Sequence, residues 1–200
     1  MHLSLIETKS AIPRRKLTPE EYLEFERKSE TKHEYFNGEV FAISGAKRNH
    51  NKAATNISGL IWQHLKGKDC ESYSNNMRVF VPKTGLYTYP DVVMVCGEPK
   101  FQDKVFDTLL NPTLLVEVLS ESTESYDRGK KFQHYRSIES LQEYVLVSQD
   151  EARIEKYLRQ GDGFWVLSEA FGLDAKIKLD SLDCEIVLSE VFDKVNFSDE

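Results

Sequence analysis

The chain has 200 residues, of which 40% are hydrophobic and 11% aromatic, and its formal net charge is −7. This is enough for one globular domain with a real core, and the acidic balance argues against a protein that coats nucleic acid by bulk electrostatics. No apolar run reaches the roughly 18 residues that a membrane span needs, so we expect no membrane partner.

The cysteines and the two ends of the chain set further limits. Cys70, Cys96 and Cys184 are odd in number and widely spaced, which predicts neither a disulfide framework nor a zinc site and favours a reducing, cytoplasmic location. Residues 1–16 lack the basic-then-apolar order of a secretory signal and are predicted to be a flexible arm. Residues 17–193 are predicted to form a single domain, with a polar tail at 194–200.

Two strong local signals follow the arm. Thr18, Pro19 and Glu21 match an N-cap, a first-turn proline and a capping-box glutamate, so a helix is predicted to run to about Lys28. Asn37–Gly38 then separates HEYF from EVFA, which is the pattern of a tight β-hairpin.

The rest of the chain mixes helical and strand-like segments. Apolar residues recur at helical spacing from about Asn49 to Leu65, and His50 opens the apolar face of this predicted helix. A later helix is predicted through GKKFQHYRSI, and strands are predicted at SYSNNMRVFVP, YPDVVMVC, TLLVEVLS, QEYVLVS, RIEKYLR and FWVLSEA. The order indicates an α+β fold with a mixed sheet. Its central strands are expected to be the nearly continuous apolar runs DVVMVC and TLLVEVLS, with the alternating RIEKYLR nearer an edge.

The segment LLVEVLS, residues 114–120, places Glu117 inside an apolar strand. An ionised carboxylate in such a strand costs several kcal/mol in desolvation unless it is paired, hydrogen-bonded or bound to a metal. Asp91 opens the predicted strand DVVMVC, so both acids can reach one point if the two strands are neighbours. Converging carboxylates, with water in the remaining positions, suit Mg²⁺ or Mn²⁺.

These acids belong to a set of motifs that resembles a known group of nucleases. Pro90–Asp91, Glu117–Val118–Leu119, the segment HEYFNGEV with Glu34 at its strand head, and the later YDRGKKF resemble the PD-(D/E)XK nuclease superfamily. More narrowly, they resemble the Uma2 family of predicted bacterial endonucleases, which is abundant in cyanobacteria. The resemblance runs from about Leu17 to Phe192. It implies a restriction-endonuclease-like α/β fold, in which helices flank a mixed central β-sheet after an N-terminal helix and hairpin.

The resemblance also implies a metal site and a reaction. Glu34, Asp91 and Glu117 take the places of the metal-binding acids, so Mg²⁺ or Mn²⁺ is the implied cofactor. The implied activity is endonucleolytic hydrolysis of phosphodiester bonds, with DNA as the expected substrate and RNA left open.

The lysine of the superfamily pattern is displaced in this sequence. The position two residues after the second acid holds Leu119, whereas Uma2-like sequences carry the lysine on the following helix. Lys131 matches that place, where it would orient the attacking water and stabilise phosphoryl oxygens, and its neighbour Lys130 is the rival.

Each candidate residue also has a structural interpretation. Asp91 could be a turn residue, Glu117 half of a buried ion pair, Glu34 a partner of Lys32, and Lys131 a surface partner of Asp127. His50 could touch a phosphate or a metal-bound water, but a helix-start histidine with satisfied hydrogen bonds is the favoured interpretation. Aromatic residues such as Tyr135, Tyr144 and Phe164 are expected to pack in the core.

Two rival functions stay open beside the endonuclease. One is a catalytically inactive nuclease-like domain that binds nucleic acid or a protein, which the displaced lysine and the acidic charge allow. The other is a metal-dependent hydrolase of a small phosphate ester, although the sequence contains no phosphate-binding glycine motif. Because duplex cleavage needs one site for each strand, a homodimer is expected.

Overall fold

The computed structural model describes residues 12–13 and 15–198, which form an α/β fold of three sheets with helices. The predicted fold class, a mixed sheet flanked by helices, is confirmed. Most of the predicted arm at 1–16 lies outside the described residues. None of the helices in residues 12–13 and 15–198 is both long and apolar enough to cross a membrane.

Helices make up a small part of the described chain. The α-helices span Pro19–Glu26 (α1), Arg48–Leu65 (α2), Glu124–Tyr126 (α3), Phe132–Tyr135 (α4) and Leu188–Val191 (α5). A π-helical turn at Asp127–Lys131 joins α3 to α4, so residues 124–135 form one continuous helical segment. The predicted capping box is present, because the Thr18 side chain accepts from the Glu21 backbone and the Glu21 side chain accepts from the Thr18 backbone.

The strands form one large sheet, one smaller sheet and a hairpin. From edge to edge, the six-stranded sheet contains Trp165–Phe171 (β11), Arg153–Arg159 (β10), Glu143–Ser148 (β9), Leu114–Leu119 (β8), Val92–Cys96 (β6) and Cys70–Ser74 (β3). The five-stranded sheet contains Glu39–Ala42 (β2), His33–Phe36 (β1), Leu86–Thr88 (β5), Arg78–Val81 (β4) and Thr108–Leu109 (β7). The separate hairpin pairs Lys176–Leu179 (β12) with Cys184–Val187 (β13).

Strands β6 and β8 lie at the centre of the large sheet, as their apolar sequences predict. They pair antiparallel, with Val92 opposite Val116, while β8 pairs parallel with β9. One face of β8 packs against α2 and α5, and the other packs against α4 and the smaller sheet. The strand that carries Glu117 is therefore covered on both sides.

The polypeptide crosses from the smaller sheet to the larger one over a very short distance. Strand β5 ends at Thr88 and β6 begins at Val92, so residues 89–91 connect the two sheets. The predicted hairpin at Asn37–Gly38 joins β1 and β2, and both turn residues have positive φ angles, of 51° and 88°. This left-handed backbone is why asparagine and glycine occupy the turn.

Three predictions about the fold are wrong. The segment SYSNNMRVFVP is not one strand, because a turn at Asn75–Asn76 splits it into β3 and β4, which belong to different sheets. Cys70 and Cys96 form a disulfide, since the pairing of β3 with β6 places them directly opposite each other although they are 26 residues apart in sequence. Phe164 does not pack in the core but is 70% exposed beside the edge strand β11. The cytoplasmic location, which rested on the cysteine count, stays a prediction.

Candidate active site

The four residues singled out in the sequence line one open cleft. The cleft has a volume of about 1080 Å³, and Glu34, Asp91, Glu117 and Lys131 all border it. They come from four places in the fold: β1, the connection that leads into β6, β8 and the π-helical turn. The fold thus brings together residues that lie up to almost a hundred positions apart in sequence.

Asp91 and Glu117 face each other across neighbouring strands. Because Val92 is opposite Val116, Asp91 reaches the backbone of β8 beside Glu117, and its Oδ2 accepts a hydrogen bond of 2.8 Å from the backbone N–H of Val118. The condition for a shared site, that the two strands are neighbours, is therefore met. The Asp91 side chain keeps 16% exposure to the cleft, whereas Glu117 keeps only 6%.

Lys131 is the lysine that enters the cleft. Its Nζ lies 2.9 Å from Glu117 Oε1, 3.3 Å from Glu34 Oε1 and 3.4 Å from Asp127 Oδ1. Lys130, by contrast, is exposed. A π-helical turn, which adds one residue to the normal turn, rotates the side chains that follow it and often occurs at functional sites. In residues 127–131 this turn carries Lys131 rather than Lys130 towards the carboxylates.

Two hydroxyl groups extend this cluster of charges. Tyr135 donates a hydrogen bond of 2.7 Å to Glu117 Oε1, and Thr88 donates one to Glu34 Oε1. The two hydroxyls lie 3.4 Å apart, so they link the Glu117 and Glu34 branches of the cluster. The sequence predicts only a core-packing role for Tyr135. Its position four residues after Lys131, on the same side of a helix, was the signal that could have found it.

Burial and neighbouring charge both act on the ionisable groups of the cleft. Burial raises the pKa of Glu117 to about 8, although Lys131 and the hydroxyl of Tyr135 oppose this rise. Burial acts to lower the pKa of Lys131, but Glu117 and the surrounding acidic groups raise it well above its ordinary value. Burial and the neighbouring acidic groups thus act in opposite directions on the pKa of Lys131, and Glu117 is the largest influence that favours its ammonium form.

His50 projects from the first turn of α2 towards Asp91. Its Nε2 lies 3.4 Å from Asp91 Oδ2, while its buried Nδ1 has no hydrogen-bond partner among the described residues. Burial acts to lower the pKa of His50, but the hydrogen bond and charge of Asp91 outweigh it and raise the pKa. His50 is a helix-start residue, as expected, and it also contacts an acid of the cleft.

The cleft also contains two polar residues that the sequence did not single out as site residues. Asp127, in the π-helical turn, is 2% exposed, and its Oδ1 lies 3.4 Å from Lys131 Nζ. Gln149, which follows β9 directly, is also 2% exposed and has an unpartnered Oε1. Asp127 looks like an ordinary helix ion-pair partner in sequence, and nothing in the local sequence marks Gln149.

The oxygen atoms in the cleft are chemically suited to a hard divalent cation. Protein contacts to Asp91 use Oδ2 and those to Glu117 use Oε1, so each carboxylate has a second oxygen without a donor among the described residues. Carboxylate oxygens are the ligands that Mg²⁺ and Mn²⁺ prefer. Within residues 12–13 and 15–198, however, no three His, Cys, Asp or Glu side chains are already gathered around one point as a metal centre. Lys131 stands between Glu34 and Glu117.

Comparison with protein families supplies the identity of the chain. Residues 19–189 match the Uma2 family, which is described as "Putative restriction endonuclease". The chain belongs to the Uma2 family. Two relatives, each described as an uncharacterized protein, come from the cyanobacterium Synechocystis. One is 39% identical over 162 residues, which cover 81% of this chain and 92% of the relative, and the other is 37% identical over 177 residues, which cover 88% and 92%.

A solved structure shares the fold of this Uma2 protein. It is described as a putative nuclease belonging to DUF820 from Anabaena variabilis, and it matches with a TM-score of 0.72 at 17% sequence identity. The match covers 88% of this chain and 97% of that one. At this identity the likeness establishes the fold alone. Family and fold together confirm a restriction-endonuclease-like protein at that coarse level.

Proposed function

We propose that this chain is a metal-dependent endonuclease that hydrolyses phosphodiester bonds in DNA. The observation that carries the proposal is the meeting of Asp91, Glu117 and Lys131 in one open cleft, with Lys131 Nζ 2.9 Å from Glu117. Two acids with unused oxygens beside a buried ammonium group form a site that can hold a divalent cation and face a phosphate. Membership of the Uma2 family supports the same reaction class.

Asp91 and Glu117 would hold the cation, and Glu34 would join through a bound water or after Lys131 shifts. The cation, when bound, would lower the pKa of a water molecule and neutralise charge on the phosphate. Asp91 is placed for direct binding because its second oxygen is free and its first is fixed by the backbone of Val118. This rigid placement reduces the entropy that binding would otherwise cost.

Lys131 would act directly on the reacting groups. Its ammonium group is buried, and it lies within 3.5 Å of three carboxylates that fix its position. A cation held this firmly can hydrogen-bond the attacking water and stabilise charge on the phosphoryl oxygens as it develops. Tyr135, through its bond to Glu117, would position that carboxylate and not contact the substrate.

The walls of the cleft are consistent with a phosphate-bearing polymer. Lys32 and Lys47 line the cleft, and Glu30 and Glu121 line it as well. This limited cationic rim predicts weak, salt-sensitive binding to DNA outside the site of cleavage. The predicted homodimer and cytoplasmic location stay predictions.

Cleavage assays with a matched pair of variants test the proposal. We expect the wild-type protein to cut DNA in Mg²⁺ or Mn²⁺ and not in EDTA. Asp91→Asn should abolish cutting while keeping the acceptor for Val118 N–H, and Asp150→Asn, which removes an exposed carboxylate outside the cleft, should cut like the wild type. Single-stranded, duplex and branched DNA that all stay intact with both metals would instead favour the non-cutting nuclease-like binding domain.

A further inference from the structure

The large sheet ends on one side at β11, and this edge is both apolar and exposed. Large hydrophobic side chains that are about half exposed or more cluster on and beside the strand: Phe164, Val166, Leu167, Phe171 and Leu173. Among the described residues, β11 pairs with β10 alone, so its other side has no neighbouring strand. An exposed apolar sheet edge is a surface on which another strand can add.

The backbone of β11 has hydrogen-bonding groups that face away from β10. Gly172 N–H donates to the carbonyl of Ala152, and the carbonyl of Phe164 accepts from Gln160 N–H. The pairing of β10 with β11 is unbroken between these bonds, and inward and outward groups alternate along an antiparallel strand. The odd-numbered residues therefore point their N–H and C=O groups outward, where none has a backbone partner among residues 12–13 and 15–198. These residues are Trp165, Leu167, Glu169 and Phe171.

The β11 edge lacks the features that usually prevent strands from adding to a sheet. Natural edges are protected by proline, by lysine or by a bulge. Residues 164–171 contain no proline, lysine or arginine, and their register with β10 contains no bulge. The opposite edge of the same sheet, β3, is shorter and has the polar sequence CESYS. Of these two edges, β11 is the one suited to pairing with another strand.

A second copy of β11 fits this edge when the two strands run antiparallel about a two-fold axis at Ser168. Leu167 then lies opposite Glu169 of the second copy, and Trp165 lies opposite Phe171 of the second copy. All the outward backbone groups meet in hydrogen-bonded pairs, while the small Ser168 side chains face each other in the closer, non-hydrogen-bonded pair. An axis at Glu169 would instead place two like charges directly opposite each other.

The charge of the strand is also compatible with self-association. Glu169 is the only charged residue of β11, and Arg153 of the same chain lies 2.9 Å from its Oε2. The strand therefore brings no uncompensated charge to a contact between two copies, although the whole chain has a formal net charge of −7.

We propose that the β11 edge is a homodimer interface, in which two copies pair antiparallel about Ser168 and join their six-stranded sheets into one. Each copy uses this edge once, so the contact closes at a dimer. A single strand is smaller than the roughly 20–30 residues a side of a standard interface, so we expect a reversible dimer with a Kd of about 10–100 μM. The inference does not depend on the proposed cleavage reaction, because β11 does not line the cleft.

Sedimentation equilibrium of the full-length protein at increasing concentration tests this interface. We expect the wild type to dimerise and Leu167→Pro to stay monomeric, because proline removes an outward N–H and spares the bonds to β10. Leu167→Glu should weaken dimerisation by about tenfold or more, since it faces Glu169 of the second copy and the axis repeats the contact. Leu167→Lys faces the same carboxylate and should keep a Kd within about threefold of the wild type.

Val105 provides matched controls for the changes in charge. It is 57% exposed, close to the 50% of Leu167, and it precedes β7 in the smaller sheet. Val105→Glu and Val105→Lys should both dimerise like the wild type. Unfolding temperatures show whether each variant is folded.

Hydrogen exchange measured residue by residue identifies the surface independently of any substitution. At concentrations well above the Kd, the outward amides of β11 should exchange at least about tenfold more slowly than in dilute protein. The inward amides of Val166 and Ser168 already bond to β10 and should not change.

Three results would overturn the inference. One is a wild type that stays monomeric at about 500 μM, well above the expected Kd. Another is a dimer that persists in Leu167→Pro, or that dissociates equally in the Val105 variants, since either places the contact elsewhere. The third is an equal loss of dimer in Leu167→Glu and Leu167→Lys, which contradicts the pairing about Ser168.

Discussion

Two buried glutamates in adjacent parallel strands of this sheet have opposite surroundings. Glu143 in β9 is fully buried, and both of its oxygens are occupied: Oε1 accepts from Asp180 N–H at 2.8 Å, and Oε2 accepts from Ser181 N–H at 2.9 Å. Lys156 lies 3.5 Å away. This cluster joins β9 to the end of the β12 strand and contains no free acceptor on the glutamate.

Glu117 in β8 is nearly as buried, but only one of its two carboxylate oxygens contacts the protein. Its protein contacts reach Oε1 alone, and its side chain borders an open cleft. The comparison teaches that a buried acid next to a lysine does not identify a site, since both glutamates meet that description. What distinguishes Glu117 is an oxygen without a donor and a route to solvent.

Replacing Glu117 should produce the largest effect, and the property that it changes should be cleavage activity. Glu117→Gln removes a cation-binding oxygen with little change in volume, so we expect cleavage to fall by at least about a thousandfold, equivalent to several kcal/mol. The variant should remain folded, because the amide spares the cost of burying a charge. Cleavage rates with Mg²⁺ and urea unfolding curves measure the two properties, and near-normal cleavage would remove Glu117 from the active site.

Replacing Glu143 should mainly lower the free energy of unfolding. Glu143→Ala leaves the donors of Asp180 and Ser181, as well as Lys156, without their buried partner, which typically costs about 3–5 kcal/mol. We expect a corresponding decrease in the free energy of unfolding in urea, equal with and without Mg²⁺. A metal-dependent loss would mean that Glu143, too, belongs to a cation site.

Lys130 and Lys131 are adjacent in sequence but should differ in their effect on cleavage. Lys131→Met removes the buried ammonium group beside Glu117 and should reduce cleavage by about a hundredfold or more, which is typical of losing one group that stabilises transition-state charge. Lys130→Met, at an exposed position, should cut at the wild-type rate. Equal losses in the two variants would show that the effect comes from net charge.

The pH dependence of stability gives a further test of the surroundings of Glu117. Glu117 has a pKa of about 8 in the folded chain against about 4.5 when exposed, so it releases a proton on unfolding between these values. Its contribution to the free energy of unfolding must therefore decrease as pH rises from about 4.5 to about 8. In EDTA, the difference in stability between Glu117→Gln and wild type should shift in favour of the variant over this range. A difference that does not change with pH would contradict the raised pKa.

The central features of the fold and site could be predicted from sequence because they depend on local signals. Apolar runs marked β6 and β8, the capping box marked α1, and an acid within an apolar strand marked Glu117. The adjacency of β6 and β8 was only a condition in the sequence analysis, and the pairing of Val92 with Val116 in the structure meets it. Lys131 could be separated from Lys130 only by family resemblance, since the π-helical turn that selects it leaves no sequence signal.

Other features depend on long-range pairing that the sequence does not display. The Cys70–Cys96 disulfide exists because β3 is the edge neighbour of β6, and neither the spacing nor the number of cysteines indicates that pairing. Gln149 reaches the cleft only because β9 lies parallel beside β8. Short strands such as β7, with two residues, carry too little pattern to be recognised.

The two walls of the cleft stand on different sheets, which residues 89–91 connect. Glu34 stands on the smaller sheet and Glu117 on the larger one, and the backbone link between β5 and β6 is three residues long. The two sheets also share one hydrophobic core, in which Leu86 of the smaller sheet packs with Leu115 and Leu119 of β8. Lys131 contacts both glutamates, so its ion pairs join side chains that stand on different sheets, and the site depends on how both sheets are placed.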